Sequence, residues 1–130
     1  MKGHSELRIN CRARPAAARP MRHAVAAFLN ATGQVDAESC DDILTAVGEA
    51  LANAVEHAYE GVEENEVELF ARLEDDTLAV DVFDRGTFIE RAPRPGRGFG
   101  MRIVEAIASD VHIDVDNGTH VRMIFNRRGK

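Results

Sequence analysis

The sequence predicts an α/β (α+β) two-layer sandwich, in which helices cover one face of a mixed, mostly antiparallel sheet. Three observations support this fold class. Segments with apolar residues at every second position alternate with segments at helical spacing, in the order βααββαββ. Glycines and Asp-Asp or Asp-Asn-Gly turn signals separate these segments. The length of 130 residues suits one domain, so we interpret residues 1–130 as a single domain.

Short apolar patterns indicate the first strand and the first helix. Weak alternation over residues 6–12 predicts an edge strand. Pro15 and Pro20 bracket an alanine-rich stretch that leads into a helix, and Gly33 is expected to end that helix. The apolar stripe of the helix consists of Val25, Phe28 and Leu29.

The second helix has the clearest periodicity in the chain. Ser39 and Asp42 have the spacing of a capping box, and Gly61 is expected to end the helix. Its apolar stripe comprises Ile43, Leu44, Val47, Leu51, Ala54, Val55 and Ala58. This regular stripe predicts a long helix with one buried face.

Two hairpins and a third helix complete the predicted fold. The hairpins turn at residues 75–76 (Asp-Asp) and 116–118 (Asp-Asn-Gly). Residues 99–108 have helical spacing, and residues 86–98 are rich in Gly, Pro and Arg, which is typical of a loop. The inward-facing residues expected of the third helix are Ile103, Val104 and Ile107. The apolar strand positions are Val67, Leu69, Ala71 and Leu73, then Leu78, Val80 and Val82, then Val111, Ile113 and Val115, and finally Val121, Met123 and Phe125.

Composition narrows the possible functions. The net charge of −6 argues against a general nucleic-acid binder. No apolar run reaches the roughly 18 residues that cross a bilayer, and residues 1–10 lack the apolar stretch of a signal peptide, so we expect a cytoplasmic protein. Cys11 and Cys40 show no CxxC spacing and are expected to be reduced, structural thiols.

The charges are segregated along the chain. Residues 1–35 contain six basic and one acidic side chain, residues 36–84 one basic and sixteen acidic, and residues 85–130 nine basic and five acidic. Five arginines lie between positions 85 and 102. A basic loop beside an acidic body is either a solvated loop or a binding site for a polyphosphate.

A polar row on the second predicted helix is the first candidate for chemistry. Glu49, Asn53 and His57 recur at every fourth position, so they line one side of the helix. Such a row is often only a solvated face, but the alanines around it let another element approach closely. Glu49 could act as a general base, and Asn53 could supply an oxygen ligand to Mg²⁺.

Two glycine-containing segments are further candidates. Residues 84–86 (Asp-Arg-Gly) end a predicted strand; they suit a plain turn, but the carboxylate could also accept a hydrogen bond from an exocyclic amine. Residues 96–100 (Gly-Arg-Gly-Phe-Gly) precede the third predicted helix, whose N-terminal N–H groups could bind phosphate. They match neither GxxxxGK[ST] nor GxGxxG after a strand, so a nucleotide would need another type of site.

Taken in order, these segments resemble the motifs of the GHKL ATPases, which include gyrase, sensor histidine kinases and small anti-sigma serine kinases. Residues 49–59 (EALANAVEHAY) resemble the N box, residues 84–86 the G1 box and residues 98–101 the G2 box. Residues 118–123 (GTHVRM) resemble the late Gly-Thr motif. The resemblance spans almost the whole chain and implies the GHKL histidine-kinase-like ATPase fold.

Within the family, the chain is most similar to the anti-sigma-factor serine/threonine kinases. The stand-alone domain, residues 57–59 after the N-box Glu and Asn, and residues 22–28 (RHAVAAF) carry this similarity. The resemblance implies an ATP- and Mg²⁺-dependent kinase that sequesters a sigma factor and phosphorylates a serine of an anti-anti-sigma (STAS-type) protein. Related switch kinases often dimerise, so a homodimer is one possible assembly, although the sequence does not give the oligomeric state. We expect no direct contact with nucleic acid or membrane.

The resemblance also implies roles for single residues. Glu49 would be the catalytic base, and Arg22 would contact the protein partners. The residues that would bind ATP and its metal ion are Asn53 for Mg²⁺, Asp84, Gly86 and Thr119 for the adenine side, and Gly98 and Gly100 for the phosphates. Arg94 and Arg97 are added as phosphate-binding residues because of the positive charge of their segment and not because of the resemblance.

Two departures from the family pattern leave alternatives open. Phe88 stands where the G1 box usually has a second glycine, and the lid, the segment between Gly86 and Gly98, is short. One alternative is a catalytically weak or inactive GHKL module that switches partners by binding alone. Another is the ATP-binding domain of a histidine kinase, which is less favoured because neither His4 nor His23 lies in the context of a phosphoacceptor helix.

Overall fold

The computed structural model describes residues 4–59, 66–84, 99–115 and 118–126. The helices in this part of the chain are α1 (Ala18–Thr32), α2 (Ala37–Tyr59) and α3 (Phe99–Ile107), and a 3₁₀ turn, Pro15–Ala17, precedes α1. The strands are β1 (His4–Arg12), β2 (Glu66–Glu74), β3 (Thr77–Asp84), β4 (Asp110–Val115) and β5 (Thr119–Asn126). The predicted order βααββαββ is confirmed.

The described strands form one sheet in the order β1-β2-β3-β5-β4, and each neighbouring pair is antiparallel. β1 lies at an edge, as its weak alternation predicted. Because successive side chains of a strand point to opposite faces, the apolar positions of β2, β3 and β5 all face one way. The helices cover that face, so the two-layer arrangement follows from the period-two pattern.

Helix α2 is the centre of the helical layer. It packs against α1 on one side and α3 on the other, and it lies across β3. Its residues Val47 and Leu51 are completely buried, and Leu69 and Val80 of the sheet are equally buried. Each side chain of this kind contributes about 1.5–3 kcal/mol of transfer free energy when it leaves water, so this interface provides much of the stability.

The ends of the helices correct one prediction and confirm another. The side chain of Asp36, not Ser39, caps α2: its Oδ1 atom accepts a hydrogen bond of 2.7 Å from the backbone N–H of Ser39. The helix therefore starts one turn earlier than the predicted capping box. Gly33 ends α1 in the left-handed conformation, with φ 66°, as expected of a C-terminal glycine.

The predicted inward face of α3 is partly wrong. Val104 of α3 is buried, but Ile103 is 36% exposed, so the predicted face included one residue too many.

Cys11 and Cys40 are free thiols. Burial, together with the negative charges of Asp36 and Asp41, raises the pKa of the Cys40 thiol, which favours its protonated, unreactive form. The expected end of α2 at Gly61 lies outside the described residues.

No helix in the described ranges has both the length and the apolar character required to span a membrane.

The core interface predicts a strong contrast between two aliphatic truncations in the sheet. Leu69→Ala removes a fully buried side chain and should lower the free energy of unfolding by about 2–5 kcal/mol. Ile113→Ala removes a side chain that is 49% exposed and should cost less than about 1 kcal/mol. Urea denaturation of both variants provides the measurement, and equal losses would contradict this assignment of the core.

Candidate functional site

The site begins where β3 ends and β5 starts. Asp84 is the last residue of β3, Thr119 is the first of β5, and the two are direct partners across the strands. Directly opposed residues share a face of the sheet, with their Cβ atoms about 4.5–5.5 Å apart. Asp84 follows Val80 and Val82 at spacing two, so this pair lies on the face that the helices cover. The register thus brings together two residues predicted for the adenine side.

The Asp84 side chain and the Thr119 hydroxyl are shielded from water. Asp84 is 4% exposed, and its Oδ2 atom and the Oγ1 atom of Thr119 are buried. Within the described residues, the Thr119 hydroxyl has no hydrogen-bond partner. A buried polar group without a partner costs about 1–3 kcal/mol, and a polar ligand at this position would recover that energy. The pair therefore has the properties of a binding site for a polar ligand.

Glu49 and Asn53 are the second part of the site. Both lie on α2, one turn apart and half-buried. Ala50 and Ala54 beside them are buried, and the helix as a whole packs against α3 and β3. The predicted row is therefore not a fully solvated face. Glu49 and Asn53 thus lie on one side of the helix that also packs against β3, the strand that ends at Asp84.

The structure describes only part of the predicted phosphate side. Gly100 is the second residue of α3, so it lies in the first turn of a helix, where free N–H groups can bind an anion. Gly86, Arg94, Arg97 and Gly98 lie outside the described residues, as does Phe88.

Arg22, the predicted partner contact, is exposed on α1 but has an intramolecular contact. Its Nε atom donates a hydrogen bond of 3.1 Å to the backbone carbonyl of Leu44 on α2. Sequence spacing gave no sign of this bond, because it depends on how α1 crosses α2.

A polar cluster that sequence reasoning missed lies on the other face of the sheet. Asp81 is 3% exposed and accepts hydrogen bonds from Nε of Arg122 at 2.8 Å and, in the matching tautomer, from Nε2 of His120 at 2.6 Å. The bond and the charge of Asp81 raise the pKa of the Arg122 guanidinium. The ring of His120 also stacks on Phe83, with centroids 4.2 Å apart. The one sign of this cluster in the sequence is an aspartate between apolar residues of a strand. Its partners could be identified only from the register of β3 with β5.

A cavity of about 500 Å³ opens on the same outer face. Its lining residues are Arg8, Ile9, Asn10, Glu68, Leu69, Phe70 and Phe83. The guanidinium of Arg8 lies 4.5 Å above the centre of the Phe70 ring, a cation–π contact that covers part of the sheet.

Comparison with known proteins identifies the class to which this fold and site belong. Residues 11–125 match the histidine kinase-like ATPase domain, and this chain belongs to that family. The GHKL resemblance seen in the sequence is therefore confirmed.

Within this family, the chain is similar to proteins named anti-sigma F factor and serine-protein kinase RsbW. The chain is 27% identical over 121 residues to the anti-sigma F factor of Clostridium beijerinckii, covering 82% of each chain. It is 30% identical over 118 residues to the anti-sigma F factor of Clostridium botulinum, covering 78% of this chain and 80% of that protein. It is 29% identical over 102 residues to the serine-protein kinase RsbW of Listeria innocua, covering 66% of this chain and 65% of the kinase.

A solved structure shows the same architecture. The crystal structure of the RsbU and RsbW domains of a Mycobacterium tuberculosis protein superposes with a TM-score of 0.75 at 28% identity. The match covers 94% of this chain and 32% of that longer chain. The predicted fold class is confirmed by this likeness and by the family match.

Two buried aspartates of β3 allow a matched test of the site. Asp84→Asn should abolish the rise in melting temperature caused by ATP or ADP, because the amide replaces an acceptor oxygen with a donor. Asp81→Asn changes the same residue type on the opposite face. It should lower the melting temperature, because hydrogen bonds from Arg122 and His120 are weakened.

The nucleotide-induced rise should survive in Asp81→Asn. Thermal unfolding with and without nucleotide measures both variants. A normal rise in Asp84→Asn would remove Asp84 from the nucleotide site.

Proposed function

We propose that the chain is an ATP- and Mg²⁺-dependent anti-sigma serine kinase, which sequesters a sigma factor and phosphorylates a serine of an anti-anti-sigma (STAS-type) protein. The buried Asp84–Thr119 pair, facing the helical layer at the end of the sheet, is the observation that carries the nucleotide-binding part. The names of the similar proteins, anti-sigma F factor and serine-protein kinase RsbW, support the kinase and sigma-factor parts. A sigma factor acts on transcription, so the proposal places the protein in the cytoplasm.

In this proposal, the Asp84–Thr119 pair recognises adenine. A carboxylate oxygen of Asp84 accepts a hydrogen bond from the exocyclic amine, and the Thr119 hydroxyl gains a partner inside the same buried site. Gly86, two residues after Asp84, leaves space for the base. Burial strengthens both hydrogen bonds, because water cannot compete for them.

The phosphates bind at the start of α3. Gly98 and Gly100 let the backbone approach closely, and the first N–H groups of α3 are donors for an anion. Arg94 and Arg97 of the lid contribute positive charge and bidentate hydrogen bonds. Asn53 fits Mg²⁺ through its amide oxygen, since this ion is held in proteins by few side chains together with substrate phosphates. When bound, Mg²⁺ neutralises charge on the transferring phosphoryl group.

Glu49 acts on the protein substrate. Its carboxylate orients the serine hydroxyl and takes the proton as the serine oxygen bonds to the γ-phosphorus of ATP. The bond from the γ-phosphorus to the β,γ-bridging oxygen breaks in the same transfer, giving phosphoserine and ADP. The half-buried setting of Glu49 supports this role, because it limits competition from water without closing the site to a protein substrate.

The partner-switching part of the proposal places Arg22 in the contact with both the sigma factor and its antagonist. The guanidinium is exposed and lies in a strongly basic N-terminal segment, with six basic side chains and one acidic side chain over residues 1–35. This charge suits acidic partner surfaces. A homodimer is one possible assembly, since related switch kinases often dimerise.

A second candidate is a GHKL module that binds its partners without efficient phosphoryl transfer. The observation that favours it is Phe88 in place of the usual second glycine, followed by the short lid. Assays of serine phosphorylation separate the two candidates, because the second predicts partner binding without phosphoserine. A histidine-kinase ATP domain would instead transfer phosphate to histidine, which acid-stability of the phosphorylated product distinguishes.

Glu49 and Asn53 should separate chemistry from binding. Glu49→Gln should keep the nucleotide-induced rise in melting temperature and lower the rate of serine phosphorylation by about 10²–10⁴-fold. Asn53→Ala should also weaken Mg²⁺-dependent nucleotide binding. Glu38→Gln, a carboxylate change in the first turn of the same helix, is the control and should behave as wild type. Wild-type phosphorylation by Glu49→Gln would exclude Glu49 as the base.

The lid arginines should distinguish ATP from ADP. Replacing Arg94 and Arg97 with Gln should weaken the binding of ATP more than the binding of ADP, because the γ-phosphate carries the additional charge. Isothermal titration at low and high salt measures both affinities. The control variant replaces Arg14 and Arg19 with Gln, which removes the same charge from the exposed N-terminal region. It should change neither the ATP affinity nor the ADP affinity. Equal losses for ATP and ADP would show that the lid arginines do not contact the γ-phosphate.

A further inference from the structure

Helix α2 contains a glycine in its interior, at Gly48. Glycine is among the least favourable residues inside a helix, because its backbone loses the most freedom on folding. The same 23-residue helix has alanine at several nearby positions, so small residues other than glycine are accommodated along it. Gly48 directly precedes Glu49, the proposed catalytic base. A glycine at position 48 therefore needs a structural explanation.

The side chain of Arg22 supplies that reason. A Cβ atom at Gly48 would lie 3.1 Å from Nε and 3.2 Å from Cδ of Arg22, closer than such atoms normally approach. The same Nε donates its hydrogen bond to the carbonyl of Leu44, one turn earlier on α2. Arg22 thus lies across α2 in a seat formed by the Leu44 carbonyl and the bare backbone of Gly48.

This seat fixes the middle of the Arg22 side chain and leaves its end available. Arg22 is exposed, and no carboxylate pairs with it among residues that the structure describes. A guanidinium already held in one orientation loses less conformational entropy when it meets a partner than a free side chain does. Its two terminal nitrogens retain the geometry that binds a carboxylate.

We propose that Gly48 is a positioning residue for partner recognition: it makes room for Arg22 on α2, so that the guanidinium is presented, preorganised, to an acidic side chain of the protein partner. The inference rests on the proposed function, since the partner is the one that this kinase would bind. The arrangement also links partner recognition to phosphoryl transfer, because Gly48 and the proposed base Glu49 are consecutive residues of one helix.

A double-mutant cycle tests the inference in the full chain. The variants are Gly48→Ala, Arg22→Ala and the pair, and the measurement is the dissociation constant for the anti-anti-sigma protein. Gly48→Ala should weaken binding by about tenfold when Arg22 is present and should have almost no further effect when Arg22 is Ala. Arg22→Lys keeps the charge but lacks the Nε–H donor. It should bind weakly and should also be insensitive to Gly48→Ala.

Thermal unfolding of the same variants provides a readout that needs no partner. Alanine at position 48 favours the helix, so it should raise the melting temperature more in the Arg22→Ala background, where no side chain lies on it, than in the wild type. Ala52→Gly, at an exposed position of α2, is the control. It should lower the melting temperature and leave partner affinity unchanged, which excludes a general effect of helix stability.

The outcomes are distinct. Equal affinity losses from Gly48→Ala in both backgrounds, or no loss in either, would overturn the positioning role. If the wild type bound neither partner, the proposed function would fail. The unfolding cycle would then still decide whether the seat exists, since additive shifts in melting temperature would show that Arg22 and Gly48 do not interact.

Discussion

The burial of one face of the sheet under α2 is the constraint on which the rest of the structure depends. Leu69 and Val80 of neighbouring strands are completely buried against this helical layer. Because side chains alternate along a strand, the burial of one apolar set fixes the face of every other residue. A slip of one residue in β3 would move Asp84 to the outer face and expose the apolar row. The position of the proposed adenine-binding carboxylate is therefore a consequence of core packing.

The two aspartates of β3 show that burial alone does not identify a functional carboxylate. Asp81 and Asp84 are 3% and 4% exposed, yet they lie on opposite faces. Asp81 is held by a histidine and an arginine of β5, so the protein itself compensates for the burial of its charge. Asp84 is buried beside the Thr119 hydroxyl, which lacks a hydrogen-bond partner within the described ranges. The two aspartates therefore differ in their neighbours and not in their burial, and the Thr119 hydroxyl makes the Asp84 side the candidate position for a polar ligand.

The sequence predicts the order of the elements and most of the core, because periodicity records which side of each element is buried. It fails where the outcome depends on contacts between elements. Both Asp36 and Ser39 are good helix caps, and only the packed helix shows that Asp36 is used. The Asp81 cluster depends on the register of β3 with β5. The hydrogen bond of Arg22 depends on the crossing of α1 and α2. The family motifs place the candidate site residues along the chain, but the shared face of Asp84 and Thr119 comes from strand pairing.

The proposed function gives three consecutive residues of α2 three different tasks, and the geometry of a helix explains how one element can hold them all. Successive residues are about 100° apart around the helix axis. Val47 therefore points into the core, Gly48 faces α1 and Arg22, and Glu49 lies on the half-buried row that carries Asn53. A rotation of α2 that improved one of these contacts would disturb the other two. The complete burial of Val47 resists such a rotation, since packed cores tolerate little displacement. Core packing thus holds the Arg22 seat and the proposed catalytic row in a fixed relation, and a change in any one of the three surfaces must be accommodated by the others.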